Sequence, residues 1–313
     1  MVAITPETIG IACGDGVVLG GHFWPGAGQG TGNAAGNGAV LVNPATGVLA
    51  RYYHRYARFL AGHGFDVLTY DYRGIGASRP ARLRGCRYRW RDWGERDVDA
   101  ALRALAGRAR PGPLAVVGHS IGGFLPGLAP AGHRIDRMLT VGAQYAWWAD
   151  YAPGHRLGLL TRWHLAMPAA TALFGYFPGR RLGWLEDLPA GVAREWAFRG
   201  PRFETSHPRA ERAAVVERMA HMRAPILAVG VSDDPFGTVP ALARTLAYYA
   251  GAARTQVEID PADYGRDALG HFSLFHDSHA AGFWLDTLIW LRDGRNPWPD
   301  RVVARREPGE SGG

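Results

Sequence analysis

Lysine is missing from this sequence altogether, so all 35 basic residues are arginine. Without lysine the chain can form no Schiff base with a carbonyl substrate, and it has no Walker-type phosphate-binding residue. Cysteine is scarce: Cys13 and Cys86 stand far apart, in neither a C-x-x-C nor a metal-ligand spacing. They read as two incidental thiols in a reducing compartment, with a single disulfide as the alternative. Nothing in the sequence calls for a metal or an organic cofactor, and none is expected. Long apolar runs are also lacking. The most membrane-like stretch, residues 157–177, is broken by Arg162, His164 and Pro168, so no integral membrane segment is expected. The first ten residues include Pro6 and Glu7 and lack the basic-then-apolar pattern of a secretion signal. The expected location is therefore cytoplasmic. Finally, there is no dense basic run. The net charge of +7 is spread along the chain, which reads as a solvated basic surface and not as a nucleic-acid-binding face.

What is present is core-forming material. A chain of 313 residues, 47% hydrophobic and 20% charged, can bury a sizeable interior as one large α/β domain or two small ones. Residues 9–24 alternate around Gly14-Asp15-Gly16 and predict an opening antiparallel hairpin. A Gly/Ala/Asn-rich loop follows over residues 26–38. Apolar runs at 39–42, 65–70, 114–117, 137–142, 225–231 and 255–259 predict strands, and helical spacings fall at 52–60, 93–108 and 280–291. Strands alternating with helices predict a mainly parallel sheet covered by helices on both faces. Residues 147–208 break the rhythm, being rich in Trp, Arg, Gly and Pro with no strand pattern. They are read as a helical cap inserted over the carboxyl ends of the strands, where ligands bind in such sheets. The expected division is a core of 1–146 and 209–295, a cap of 147–208, and a polar, loosely ordered tail of 296–313.

Directly after the run at 114–117 stands Gly118-His119-Ser120-Ile121-Gly122, a G-x-S-x-G. On a strand turning sharply into a helix this spacing lifts the serine hydroxyl out of the sheet, and small residues two before and two after it avoid a collision. A serine nucleophile needs a base and a group that orients it, in the chain order Ser, Asp or Glu, His. Ser232-Asp233-Asp234-Pro235 follows one predicted strand and Leu269-Gly270-His271-Phe272 follows the next. His271 is the preferred base, with His276 and His279 as fallbacks on the following helix. His119 is read as shaping the turn. The acid is open between Asp233 and Asp234. Asp234, just before a proline, is favoured, with Asp233 left to bond backbone amides. For an oxyanion, one backbone donor is the N–H of Ile121. The other comes from Asn43-Pro44-Ala45-Thr46-Gly47, where Pro44 has no N–H, leaving Ala45 or Thr46. Asp71-Tyr72-Arg73-Gly74-Ile75-Gly76-Ala77-Ser78 is not a dinucleotide fingerprint, and its Asp/Arg pair is read as bracing a loop.

In this order the motifs resemble the alpha/beta-hydrolase superfamily. Asp71-x-Arg73-Gly74-x-Gly76-x-Ser78, Gly118-His119-Ser120-Ile121-Gly122-Gly123, Ser232-Asp233-Asp234-Pro235 and Gly270-His271-Phe272 carry the likeness, over roughly residues 38–292. Residues 43–48 and 174–183 are most similar to a bacterial, serine-aminopeptidase-like branch. The resemblance implies an alpha/beta-hydrolase fold with Ser120 as nucleophile, Asp234 as acid and His271 as base. Two departures stand out. Asn43-Pro44 replaces the usual His-Gly of the oxyanion loop, and Pro126 falls where a helix should follow the serine, predicting a kink or an early end.

The expected activity is hydrolysis of an ester-type bond, a carboxylic ester or thioester, in a small-molecule substrate. A peptide or amide hydrolase and an acyltransferase share the same triad, and a non-catalytic binding protein is the competitor from another class. In the segment 147–208, Trp147, Trp148, Trp163, Trp184 and Trp196 are read as a small core or an apolar pocket. Its arginines, Arg162 and Arg180 among them, are read as solvated or as attracting an anionic substrate.

Overall fold

Apolar runs buried on both faces become the strands of one sheet. In the computed structural model, which describes residues 4–28 and 36–310, nine strands lie in the order β1-β2-β4-β3-β5-β6-β7-β8-β9. The hairpin β1 (Glu7–Ala12) and β2 (Val18–Trp24) is antiparallel and passes the sheet to β4 (Asp66–Tyr70). From there β3 (Ala39–Asn43), β5 (Leu114–His119), β6 (Arg137–Val141), β7 (Ile226–Val231) and β8 (Arg254–Ile259) run parallel. Every residue of β3, β4, β5 and β7 is buried, which is why these segments read as continuous apolar runs rather than as alternating ones. Helices cover both faces. His54–Gly62 and Phe283–Asp293 pack on one side with Tyr56 and Trp284 in contact, and Asp99–Arg108 packs on the other. Residues 29–35 of the Gly/Ala/Asn-rich loop lie outside the described residues.

Two expectations change, and the early helix end expected at Pro126 is met. The tail is not loosely ordered where it is described: Val302–Arg306 forms β9, antiparallel to β8. Buried Trp298 stacks on Phe283 at 5.7 Å and donates its indole N–H to the Tyr264 hydroxyl. A lone tryptophan and two valines among polar residues hide this strand from a composition reading. The closing helix starts at Phe283, so His276 and His279 sit in tight turns ahead of it and not on it. The helix after Ser120 ends at Phe124, and Pro126 lies in a tighter 3-10 turn over Leu125–Leu128. A proline lacks the N–H that an α-helix would need at that position. Tyr249 supports the break, accepting from Gly127 N–H and donating to the Phe124 carbonyl.

Between β6 and β7 the chain leaves the sheet for the helices Met167–Phe174, Ala190–Ala197 and Arg212–Ala220. Its Trp163, Phe177, Leu188, Trp196 and Phe203 are buried in the same cluster as Val116, Ile121 and Phe124 of the main layer. No helix among the described residues is long and apolar enough to cross a membrane, and both cysteines are free.

Candidate active site

Ser120 stands between β5 and the short helix Ile121–Phe124 at φ 54° and ψ −127°, a conformation that a residue with a Cβ adopts only under constraint. The constraint comes from three sides. Ser120 N–H donates to the Val141 carbonyl, and its own carbonyl accepts from Gly123. A Cβ on Gly118 would lie 2.4 Å from the Gly123 Cα, and one on Gly122 would lie 2.4 Å from the Asn43 carbonyl oxygen. The small residues at these two places are therefore required by contact, as the G-x-S-x-G spacing implied. Gln144, in the loop after β6, donates from Nε2 to the Ser120 Oγ at 3.3 Å. Its Oε1 accepts from Ala146 N–H, and Ala146 itself has φ 62°.

His271 follows Gly270 in the loop after β8 and is buried, with Nδ1 2.7 Å from the Asp234 Oδ2. Asp234 is buried as well. Its other oxygen accepts from Phe236 N–H at 2.8 Å. Burial alone would raise this carboxyl, yet the His271 charge, the His271 hydrogen bond and the N–H groups of Gly237 and Phe236 together hold it below the usual carboxylate range. It is therefore ionised at neutral pH. Asp233 turns the other way: its two oxygens accept from Leu269 N–H and Gly270 N–H at 2.9 and 2.8 Å. One aspartate thus faces the imidazole while the other fastens the loop that carries it. His276 and His279 line no part of the cavity at Ser120. Cys13, the buried thiol, is pushed up to about 12 by its burial and the Asp97 charge, which keeps it protonated and unreactive.

The loop after β3 faces Ser120 from across β5. Asn43 bridges the two, donating from Nδ2 to the Gly122 carbonyl and accepting from the Tyr70 hydroxyl. Asn43 therefore holds this loop against the turn at Ser120 by side-chain bonds. Ala45 N–H donates to the Tyr53 oxygen at 3.0 Å, so of the two expected oxyanion donors it is Ala45 whose N–H is already engaged. The Tyr53 hydroxyl lies 2.7 Å from His119 Nδ1, and His119 Nε2 lies 2.7 Å from the His271 carbonyl oxygen. A consistent proton arrangement has Tyr53 donating to His119 and His119 donating to that carbonyl. Burial, followed by the His271 charge, lowers His119 to about 3, so its ring is neutral, as this arrangement requires. His119 hence couples the loop after β3 to the loop that carries His271. The Asp71–Ser78 motif has the bracing role expected of it. Asp71 accepts from Ala50 and Ala77 N–H, while Arg73 pairs with buried Asp97 at 2.6 Å and with Asp15.

Ser120, Ile121, Ala45, Thr46 and His271 all open into one cavity of about 290 Å³. Trp90, Trp163, Trp184 and Trp196 wall it, with Phe236 and Phe272 beside the histidine. Trp163 and Trp196 stack at 4.6 Å, and Trp184 meets Trp163 edge-on at 5.6 Å. Gln144, Tyr53 and Tyr249 were not found by sequence reasoning. Gln144 had one available signal, its place just past the end of the strand next to β5. The two tyrosines act from segments far from Ser120 in the chain and had none.

A nine-stranded sheet of this order, with a serine turned out at the end of β5 and an Asp–His pair beyond β7 and β8, defines a hydrolase class. Residues 23–286 match the model of the alpha/beta hydrolase family, and the chain belongs to that family. No curated protein matches it by sequence. Among solved structures, alpha/beta hydrolase GrgF from Penicillium sp. sh18 is similar with a TM-score of 0.60 at 16% identity, covering 94% of this chain and 99% of that one. The Pyrococcus furiosus esterase Pf2001 aligns at 13% identity and a TM-score of 0.53, over 94% of both chains. A puromycin-hydrolyzing peptidase from Mycobacterium tuberculosis aligns at 16% identity and a TM-score of 0.58 over 93% of this chain. This chain spans 39% of the length of that peptidase and of the puromycin hydrolase it also matches. At such identities the likeness speaks for the fold.

Proposed function

We propose that the protein is a serine hydrolase that cleaves an ester-type bond, a carboxylic ester or thioester, through an acyl-enzyme. The observation that carries this reading is Ser120 held at positive φ at the wall of a cavity that also receives His271, itself bonded to buried Asp234. In the first half-reaction the Ser120 Oγ attacks the carbonyl carbon while His271 Nε2 takes its proton. The carbonyl oxygen becomes an oxyanion facing the N–H groups of Ile121 and Thr46. Collapse expels the alcohol or thiol, which leaves with the proton from His271. Water then attacks the acyl carbon, His271 accepts its proton and returns it to Ser120, and the acid departs. Asp234 keeps the Nδ1 proton in place and stabilises the imidazolium, without itself becoming protonated. Each oxyanion donor of this kind is worth about 10²–10³ in kcat. Residues 147–208 act in this reading as the cap that supplies the tryptophan walls and shields the acyl-enzyme.

A fluorophosphonate probe tests the assignment. Wild type is expected to be labelled once per chain and Ser120→Ala not at all. A folded wild type that stays unlabelled refutes the enzyme reading, and labelling that survives Ser120→Ala refutes the choice of nucleophile. A hydrolysis screen over acyl-chain length, including thioesters and aminoacyl amides, then defines the bond cleaved.

A further inference from the structure

The walls of the cavity also bear on what enters it. Six aromatic side chains surround the space beyond Ser120, and apart from His271 the ionisable side chain among its lining residues is Arg162. Among the described residues no aspartate or glutamate lines it. The segment 147–208 is rich in arginine, yet Arg162 is the arginine that reaches this cavity. Its guanidinium lies 5.1 Å from the Trp184 ring centre and 5.9 Å from that of Trp163. It makes no ion pair or hydrogen bond to a side chain among the described residues. By contrast, Arg79, Arg199 and Arg244 pair with Asp187, Glu195 and Asp150.

Resting on the serine-hydrolase reading above, we propose that the substrate is an ester with a flat apolar body and an anionic group, such as a carboxylate, at its far end. The indoles take the apolar part, and Arg162 takes the anion as a bidentate fork. A substrate with a free ammonium is selected against. Aromatic walls attract cations in general, but here a resident guanidinium already occupies the Trp163 and Trp184 faces. An incoming ammonium would meet this like charge with no carboxylate to offset it. A peptide with a free amino terminus is disfavoured for the same reason. The cavity volume of about 290 Å³ is at the small end for ligand sites, which argues for a compact body rather than a long acyl chain.

The test uses matched ligands that differ in end charge: 4-phenylbutanoate against 4-phenylbutylammonium, titrated into the wild-type protein by tryptophan fluorescence. The same pair of end groups is then compared in hydrolysis of 4-nitrophenyl benzoates that carry a para carboxymethyl or a para aminomethyl group on the acyl ring. The carboxylate is expected to bind at least fivefold tighter and its ester to have the higher kcat/KM by about tenfold. Arg162→Gln is expected to bring the two Kd values together, Arg162→Lys to retain the preference, and Arg162→Glu to invert it. Arg162 is exposed, so these variants should fold. Equal binding of both ligands to wild type, or a preference unchanged in Arg162→Gln, overturns the proposal. Ser120 labelling by a neutral fluorophosphonate is followed in parallel. Its absence would refute the catalytic reading, whereas labelling without charge preference would refute the substrate class alone.

Discussion

Substituting Asp234 and Asp233 one at a time by asparagine separates the proposed catalytic acid from a loop clamp two atoms of backbone away. In Asp234→Asn the amide can keep the Phe236 N–H bond through its oxygen, which turns its NH₂ toward His271 Nδ1. That group donates where the carboxylate accepted at 2.7 Å. The imidazole must then carry its proton on Nε2, the nitrogen required to accept from Ser120. The wrong tautomer costs about 10⁴ in kcat, equivalent to about 5.5 kcal/mol of activation free energy. In Asp233→Asn one of the two amide bonds at Leu269 and Gly270 survives. The loss is about 1–2 kcal/mol of stability, with turnover within about tenfold of wild type. Steady-state hydrolysis of a 4-nitrophenyl ester, the rate of fluorophosphonate labelling and the urea midpoint are measured on both variants. Asp234→Asn should keep its midpoint and lose its turnover, and Asp233→Asn should do the reverse. If Asp233→Asn loses more turnover than Asp234→Asn, the assignment of the acid is wrong.

Acid should destabilise the fold through His119. Lowered to about 3, it stays neutral in the folded chain, while the unfolded chain takes up a proton below about 6.5. The unfolded state thus binds more protons between these values, and stability falls with pH across the window, by about 2 kcal/mol at pH 5 from this residue. Urea midpoints at pH 7.5 and 5 should show the loss, with a smaller pH dependence in His119→Gln; an unchanged dependence would count against a neutral His119. Gly142 has φ +56°, and a Cβ there would lie 2.9 Å from the Asp234 Oδ2 and 3.0 Å from His271 Cε1. Gly142→Ala should therefore lower turnover by at least about tenfold through displacement of this pair, read as kcat on the same ester. Removing the Tyr249 hydroxyl leaves Gly127 N–H and one bond of the Phe124 carbonyl unmet. Tyr249→Phe should cost about 1–3 kcal/mol, measured by urea unfolding, and a neutral result would show that the broken helix behind Ser120 needs no such support.

Much of the parallel sheet was legible because its strands are buried on both faces and read as apolar runs. The nucleophile turn was legible because steric contact across it dictates glycine at Gly118 and Gly122, whatever the rest of the chain does. Less legible was β9, an edge strand whose sequence VVARR carries two arginines in five residues and pairs on one side with β8. An edge strand needs little apolar burial, so it leaves little trace in composition. The early end of the helix at Phe124 could be expected from Pro126, but not the tyrosine that compensates for it.

Local rules of backbone geometry and hydrophobic periodicity nominated Ser120, one of Asp233 and Asp234, and His271 as candidates for nucleophile, acid and base, in that order along the chain. Only the tertiary structure decided between neighbours. Asp233 and Asp234 are chemically identical and adjacent, and the turn after β7 aims one at the His271 imidazole and the other at the backbone of its loop. The same holds for the two loop amides, since Tyr53, folded back from the next helix, takes the Ala45 N–H. Among the described residues, Arg162 is the one arginine that lines the cavity at Ser120. Direction in space depends on contacts between segments distant in sequence, and periodicity carries no record of them.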